Sequence, residues 1–469
     1  MNAPTPAPTP ALADPSVAAS AADLAPASAA ASAPDSGPTP DGALPLRRNR
    51  EYLAWLSGDL ALGIGAGVGG FAFPLVAFAV TGSAAATGVV GLVQGVGLLA
   101  GMLPGGVLAD RFDRRRLRLL AGMLGALAQL VLVAVLLAGW ADVTVLAVIA
   151  GLDRFRGALL GTASGAMLKQ LVTPEQLPAA VSVDEGRTAA VQLGAGPLGG
   201  ALLGVGLAVP ALVQAVGSLV GVVCTLFMRG NYRALPEHGP RLGALASLRE
   251  GISWLLGQRL RVQIAACATL VNLAVNGALL TITLMLAADG VPAARIGLLM
   301  TTLAAAVLVG AFLAPGLVAA VPTGVLVIVE FCVLALAVAA MPLMPSLWGI
   351  GALAALIGVG IPAINAAVMG YFMNITPDAM QGRAQTMTGL ISLGLMPLAP
   401  AIAGFGLETL GRSTTLGIFA ALCAAGALVG LLSRSLRQVP SSGRWEEHAR
   451  AAGWVTAAAE GTPGAAAAS

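Results

Sequence analysis

Charge is the scarcest property of this sequence. Only 10% of its 469 residues are Asp, Glu, Lys or Arg, whereas a soluble globular chain carries about 25%. Hydrophobic residues make up 57% of the chain, and its mean hydropathy is +0.87. The sequence therefore has too few polar residues to cover a water-exposed surface of this length, which excludes a soluble globular protein.

Histidine and cysteine are also sparse. The two histidines, His238 and His448, lie in polar connecting segments, so neither can relay protons or bind a metal inside an apolar segment. The four cysteines lie in four different apolar runs without CxxC spacing, which favours packing over a disulfide or a metal site. There is no HExxH motif and no GxxxxGK[ST] loop, so an enzyme is disfavoured and we expect neither a cofactor nor nucleic acid.

We expect no secretory signal, because the first residues have no basic residue followed by an apolar core. Residues 1–46 are rich in Ala, Pro and Ser, and their composition predicts a disordered cytoplasmic tail. Residues 437–469 are predicted to be a second cytoplasmic tail, with at most a short helix between Trp445 and Trp454.

Long apolar runs are what the sequence has in abundance. They are roughly 20 residues long, which crosses a hydrocarbon core of about 30 Å. In lipid the backbone must satisfy its own hydrogen bonds, so a spanning segment is either a helix or a strand of a closed barrel. The runs show no period-two alternation, which barrel strands require, so we expect helices. The twelve predicted spans are 52–80, 86–108, 117–138, 143–169, 181–207, 210–229, 262–288, 294–319, 322–341, 347–371, 384–408 and 413–434.

Basic residues are concentrated in alternate loops. They cluster before span one, between spans two and three, in the central loop and after span twelve, whereas the opposite loops hold only Arg295 and Arg412. The positive-inside rule therefore places both termini in the cytoplasm of a bacterial cytoplasmic membrane.

The two halves of the chain resemble each other weakly. Such a repeat predicts six-helix halves at 47–229 and 262–436, with a central cavity at their interface. The matching pairs are 173–175 with 376–378 and Pro197 with Pro400 at an offset of 203 residues, and Gly88 with Gly297 at an offset of 209.

The halves are joined by a cytoplasmic loop at 230–261. Its apolar residues recur at helical spacing and predict an amphipathic helix, which lies either on the inner membrane surface or on the protein's own cytoplasmic face. These residues are Leu245, Leu248, Ile252 and Leu255.

The loop between spans two and three reads GVLADRFDRRR at 106–116. This resembles the major facilitator superfamily signature G-x-L-A-D-R-x-G-R-R, with Asp113 at the second glycine. The resemblance implies an all-α membrane protein of twelve helices in two six-helix pseudo-repeats, acting as a secondary transporter. A simple positive-inside anchor would need the arginines alone. The residues that the resemblance assigns to a cytoplasmic gate are Gly106, Asp110, Arg111, Asp113, Arg114 and Arg115.

Span five contains GAGPLGG at 194–200, which resembles an exporter-associated motif of the same superfamily. The segment LVTPEQLP at 171–178 resembles the fourth loop of its siderophore-exporter and macrolide-efflux branch. A proline kink and small residues would allow a tight helix contact, although generic small-residue packing is an alternative. The motif residues are Gly196, Pro197, Gly199 and Gly200.

Charged residues inside the spans are the candidates for proton coupling, because each is costly in lipid. Asp153 and Arg156 share a helix face and are expected to pair. The family places spans one and four side by side, so Arg154 is expected to pair with Asp59 and to modulate its protonation. A permanent structural pair is the alternative. Glu330 is either a second proton or cation site or a structural residue.

The sequence thus predicts a monomeric, proton-coupled exporter of a small amphipathic drug, siderophore or secondary metabolite, embedded in the lipid bilayer. Spans one, four, seven and ten would line its cavity, which makes Asn272, Asn276 and Asn365 candidate contacts. An importer of the same fold is one alternative. A non-transporting sensor is another, although neither tail resembles the folded cytoplasmic domain that a sensor would carry.

Overall fold

The computed structural model describes residues 45–230, 232–233, 249, 252–253, 255–376 and 389–451. The described residues form helices and connections, with no strand among them. The helices are α1 (Arg50–Thr81), α2 (Ala84–Arg111), α3 (Arg114–Leu137), α4 (Val143–Leu171), α5 (Leu177–Val205), α6 (Val209–Phe227), α7 (Arg259–Ala288), α8 (Ala293–Ala320), α9 (Thr323–Ala340), α10 (Leu347–Asn374), α11 (Leu398–Thr409), α12 (Gly411–Leu432), α13 (Arg434–Arg437) and α14 (Trp445–Ala451).

Eleven helical segments within the described ranges are long and apolar enough to cross a membrane. The predicted fourth span is not among them. It is α4, a helix of 29 residues that carries Asp153, Arg154 and Arg156 near its middle. The prediction of an all-α membrane protein is confirmed, while the fourth span rests on helix length rather than on hydropathy.

Side-chain caps begin several of these helices. Each cap accepts a hydrogen bond from an N–H group of the first turn, which would otherwise lack a partner inside the helix. Asp113 caps α3 by accepting from the N–H groups of Arg115 and Arg116, at 2.8 and 3.2 Å. This explains why an aspartate is useful where the superfamily signature has glycine. The other side-chain caps of long helices are Asn49, Ser83, Asp142 and Ser346.

The two ends of the bundle differ in charge. The arginine-rich face holds the start of α1, the α2–α3 connection, the end of α6 and the end of α12. The opposite face holds the α1–α2 and α7–α8 connections. Consecutive long helices run antiparallel because short connections join them, such as Gly82–Ser83.

Glycines press α4 against α2. A Cβ on Gly101 would lie 2.5 Å from the carbonyl oxygen of Phe155, and one on Gly105 would lie 2.5 Å from that of Ala158. Gly106, by contrast, has nothing within 4 Å of its Cβ position. The signature glycine Gly106 therefore does not make a close helix contact, and the neighbouring Gly105 makes it instead.

The two six-helix halves contact each other at two equivalent positions. Both positions lie closer to the opposite face than to the arginine-rich face. Gly297 of α8 meets the backbone of Gly196 on α5 so closely that a Cβ would overlap it. A Cβ on Gly88 of α2 would lie 2.6 Å from the carbonyl oxygen of Pro400 on α11. Gly88 and Gly297 are the glycines that the sequence paired at an offset of 209, so the repeat places both at the interface.

The span-five motif contributes directly to this interface. Gly196 and Gly200 face α8, where a Cβ on Gly200 would overlap the carbonyl group of Ala293. Gly199 faces α1 instead, where a Cβ would lie 2.7 Å from a ring carbon of Phe71. The motif therefore packs α5 between α1 and α8, with Pro197 inside the helix.

The segment after α12 packs on the arginine-rich end of the second half. Val439 and Pro440 accept hydrogen bonds from the N–H groups of Gly324 and Thr323. The indole of Trp445 donates to Thr323 Oγ1 and to the Pro440 carbonyl, both at 3.0 Å. The predicted short helix is present as α14, whereas most of the predicted amphipathic helix in the central loop lies outside the described residues.

Candidate functional site

Asp59 lies in a polar cluster that joins four helices. Its Oδ1 lies 2.5 Å from Nη1 of Arg118 on α3, and the hydroxyl of Ser164 on α4 lies 2.9 and 3.0 Å from its two oxygens. Arg118 Nε donates to Thr225 Oγ1 on α6 at 2.9 Å. We call Asp59, Arg118, Ser164 and Thr225 the Asp59 cluster.

The guanidinium of Arg118 is held on every side. Its Nη2 donates to the carbonyl of Trp55 at 3.1 Å, and its Nη1 donates to Ser164 Oγ. A Cβ on Gly58 would lie 2.6 Å from Nη2, so glycine leaves the room that this group needs. The side chains of Arg118 and Asp59 are 3% and 14% exposed, so the pair depends on its own partners rather than on water.

A second guanidinium approaches the cluster from α5. Arg187 Nη1 donates to the backbone carbonyl of Asp59 at 2.9 Å, while its Nη2 lies 2.8 Å from Asp184 Oδ1. Residues of α3 and α4 therefore contact the Asp59 side chain, α6 joins the cluster through Arg118, and α5 contacts the Asp59 backbone. A relative movement of any of these helices would change the contacts of Asp59.

The expected pairing of Asp59 with Arg154 is wrong. The partner is Arg118, which was not among the candidate residues and which lies one turn into α3, after the apolar Leu117. Its position at the start of an apolar run was the available signal. Arg154 points into a separate cavity and has no ion pair with any residue that the structure describes.

The expected pair of Asp153 and Arg156 is confirmed. Arg156 Nη2 lies 2.7 Å from Asp153 Oδ1, and its Nη1 donates to the carbonyl of Ala121 at 2.6 Å. Gln129 of α3 donates to the other oxygen of Asp153 at 3.2 Å. Both charges are therefore satisfied within the first half.

These residues line a cavity of about 250 Å³ inside the first half. Its walls come from α1, α2, α3, α4 and α6. Its polar lining residues are Gln94, Gln129, Asp153, Arg154, Arg156 and Gln214.

A smaller pocket of about 140 Å³ lies in the second half, between α7, α9 and α10. The three predicted contacts Asn272, Asn276 and Asn365 all line it, surrounded by aliphatic side chains and Phe331. The structure thus brings these asparagines together, but it brings them to a pocket separate from the charged cavity. Their role in binding stays a prediction.

Glu330 is buried in the second half, 8% exposed, and its Oε1 has no hydrogen-bond partner among the described residues. Its carboxyl group occupies the space above Gly360 on α10, where a Cβ would overlap it. It lies apart from the Asp59 cluster, on α9 rather than on α1 or α3. The sequence alone did not distinguish these two environments.

The loop signature forms caps at the arginine-rich face. Arg115 donates to the Thr225 and Leu226 carbonyls at the end of α6, each at 3.2 Å, and Arg114 donates to the Ala109 carbonyl at 3.4 Å. Arg111 is exposed, and the side chain of Asp110 lies outside the described part of the chain. The predicted gate is not tested by these contacts.

Tyr232 lies at the same face and contacts Glu51 at the start of α1. Its hydroxyl donates to the carboxylate of Glu51, which also accepts from the N–H groups of Arg229 and Gly230. Burial and this hydrogen bond raise the pKa of Tyr232. The phenol therefore stays protonated and continues to donate at neutral pH.

No group of three or more His, Cys, Asp or Glu side chains within the described ranges is placed to hold a metal ion.

Comparisons with known proteins agree with this architecture. The family model of the major facilitator superfamily matches residues 57–395. An enterobactin exporter, EntS, from Citrobacter koseri is 31% identical over 380 residues, which cover 74% of this chain and 86% of that protein.

Solved structures share the fold at low identity. The nucleoside transporter NupG is 14% identical with a TM-score of 0.65, covering 81% of this chain and 99% of that chain. A bacterial homologue of the iron transporter ferroportin, in an inward-facing state, is 17% identical with a TM-score of 0.65, covering 84% of this chain and 100% of that chain. A bacterial homologue of the human lysosomal transporter Spinster, inward-facing and unoccupied, is 16% identical with a TM-score of 0.58, covering 87% and 98%.

Proposed function

Because the chain belongs to the major facilitator superfamily, we propose that it exports a small amphipathic molecule across the bacterial cytoplasmic membrane in exchange for protons. The candidate cargo classes are drugs, siderophores and secondary metabolites. The similarity to an enterobactin exporter supports export and, among these classes, favours siderophores.

The observation that carries the proposal is the Asp59–Arg118 pair. A guanidinium at 2.5 Å stabilises the carboxylate, whereas a carboxyl buried without such a partner favours its protonated form. The pair is linked through Ser164 to α4, which also carries the charged lining of the cavity. A movement of α4 therefore connects cargo binding to the protonation of Asp59.

The transport cycle follows from this link. In the state described, Asp59 is ionised and paired with Arg118. Opening toward the outside would shift α4, separate Asp59 from Arg118 and let Asp59 take up an external proton as cargo leaves. Return to the state described would restore the pair and release the proton into the cytoplasm.

Two observations support a cytoplasm-facing state for the structure. The arginine-rich face corresponds to the cytoplasmic side under the positive-inside rule. The glycine contacts between the halves, Gly88 with Pro400 and Gly297 with Gly196, lie nearer the opposite face. A bundle held together near its outer end would leave its cavity accessible from the cytoplasm.

A resistance profile of an overexpressing strain against its deletion strain identifies a transported compound. That compound is then added to everted membrane vesicles energised by respiration, and proton efflux is followed by acridine orange fluorescence. We expect substrate-dependent proton efflux in the wild type and its loss in Asp59→Asn, with downhill substrate movement retained. Asp289→Asn is the control, because that carboxylate forms an exposed pair with Arg412 at the opposite face.

Glu330→Gln distinguishes the two buried carboxyls. Retained proton coupling in this variant, together with its loss in Asp59→Asn, assigns coupling to the first half. If Asp59→Asn preserved the coupling and its pH dependence, the proposal would be wrong. Net uptake of the compound by cells, or sensitisation on expression, would indicate an importer instead.

A further inference from the structure

We infer that the cargo is an organic anion, an apolar body that bears an acidic group and hydrogen-bond donors, and that Arg154 binds its acidic group. This inference rests on the proposed transport function and specifies the chemistry of the transported molecule.

The first argument for an anionic cargo is the balance of charges in the cavity of the first half. Its one carboxylate, Asp153, is already neutralised by Arg156 at 2.7 Å and accepts from Gln129 as well. Arg154 remains, exposed to the cavity and without an ion pair or hydrogen bond to any described residue. The cavity thus presents one uncompensated positive charge in a region that is costly for any charge.

Amide groups beside Arg154 can share the binding of an oxyanion. Gln94 of α2 and Gln214 of α6 line the same cavity and form no hydrogen bond with the described part of the chain. Gln214 lies directly above Gly69 on α1, where a Cβ would overlap its side-chain oxygen. Glycine therefore leaves room for this amide at the cavity wall, and a side-chain NH₂ group can donate to a carboxylate.

The pocket of the second half has the opposite character. The amide nitrogens of Asn272 and Asn276 donate to the carbonyls of Ala268 and Asn272, at 2.9 and 2.8 Å. One N–H of each side chain is therefore used within α7, and the side-chain oxygens remain to accept hydrogen bonds. Aliphatic residues and Phe331 surround them, so this pocket suits an apolar body that carries hydroxyl or N–H groups.

A matched series of compounds tests this assignment. Hydroxynaphthoic acid, its carboxamide and the corresponding aminomethyl compound share one apolar body and one hydroxyl group but differ in charge. Their dissociation constants are measured by titration calorimetry on the purified full-length protein in detergent. We expect the acid to bind most tightly and the amine most weakly.

Arg154 variants then identify the group responsible. We expect Arg154→Gln to weaken binding of the acid about 10- to 100-fold, as for loss of a hydrogen bond to a charged group, and to leave the carboxamide unchanged. Arg154→Lys should retain part of the preference, and Arg154→Glu should reverse it toward the amine. Arg412→Gln is the matched control, because Arg412 lies outside both pockets in an exposed pair with Asp289.

Several results would overturn the inference. They are failure of all three compounds to bind, tightest binding of the amine to the wild type, or an acid preference that survives Arg154→Gln. Because binding is measured without a membrane or a proton gradient, loss of coupling or of export in the vesicle experiment would contradict the proposed function alone. Thermal unfolding of each variant shows whether it remains folded.

Discussion

Helices α1–α6 hold three ion pairs within the bundle, whereas the described part of α7–α12 buries two charged residues, Arg261 near the start of α7 and Glu330 within α9, with no ion pair between them. The scaffolds nevertheless correspond, because α1 and α7, α2 and α8, and α3 and α9 begin at residues separated by an offset of 209. At that offset Asp59 corresponds to Ala268, and Arg118 corresponds to Val327. Both of these counterparts line the apolar pocket of the second half.

This difference shows which part of a repeat is constrained. Gly88 and Gly297 occupy equivalent positions because each must let another backbone approach closely. Side chains that line pockets carry no such shared constraint, so one half could become polar and the other apolar. A transporter with unlike halves can bind the two ends of an amphipathic molecule by different means.

The largest effect is expected from breaking the charged pair of the first half. Arg118→Leu leaves Asp59 without a cationic partner in a buried site, which should lower the free energy of unfolding by about 3–5 kcal/mol. Val327→Ala, at the corresponding position of the second half, should cost only about 1.6 kcal/mol, because it removes two buried methylene equivalents. Denaturant unfolding in detergent measures both.

The double variant Asp59→Leu/Arg118→Leu checks the cause. It should recover most of the stability lost in Arg118→Leu, because neither buried charge is then left alone. Equal destabilisation by Arg118→Leu and Val327→Ala would contradict the contrast between the halves.

A smaller loss of stability is expected from substitutions of the glycines at the contacts between the two halves. Gly297→Val and Gly88→Val each place side-chain atoms against a facing backbone, and overpacking of this kind typically costs about 1–3 kcal/mol. The two losses should be similar, since the contacts are equivalent. Thermal unfolding and transport in vesicles measure them.

Gly316→Val serves as the control within α8, because its Cβ position has open space around it. If Gly297→Val were as harmless as Gly316→Val, the halves would not depend on this contact.

The smallest effect concerns the segment that packs on the second half alone. His448 of α14 forms a 2.8 Å hydrogen bond with Tyr371 through its Nδ1, and burial lowers the pKa of His448. The packed segment therefore favours neutral histidine. Its contribution is present above the ordinary pKa of about 6.5 and is lost as the pH falls through the lower, folded value.

A nitroxide attached at Ala451→Cys, in a variant without the four native cysteines, reports whether α14 detaches from the second half at low pH. We expect the mobility of the nitroxide in EPR spectra to increase as the pH falls from 8 to 5. We expect His448→Asn to remove this pH dependence. A pH response that persists in His448→Asn would assign the release to another group.

Much of the helical architecture was predictable from local patterns, because a span needs only a continuous apolar run of sufficient length. Among the first six spans, the predicted and observed starts differ most at span five, where α5 begins at Leu177 rather than at 181, with Pro178 in its first turn. The pair of Asp153 and Arg156 was predictable for the same reason, since three residues separate them on one helix.

The partner of Asp59 was not predictable in this way. Arg118 directly follows the basic loop, and its place at the start of an apolar run indicates that it enters the bundle but not which carboxylate it meets. The glycine that α4 contacts was also missed, because Gly105 and Gly106 differ only in the direction that each faces around α2.

The sequence by itself determined the environment, the helices, the superfamily and the repeat, because hydropathy, local spacing and motif residues can be read along a single chain. The tertiary structure decided which charges pair across helices and which remain free. It placed Arg118 rather than Arg154 beside Asp59, and it left Arg154 facing a cavity. The physical reason is that a contact between helices depends on their rotation and depth, which local patterns do not specify.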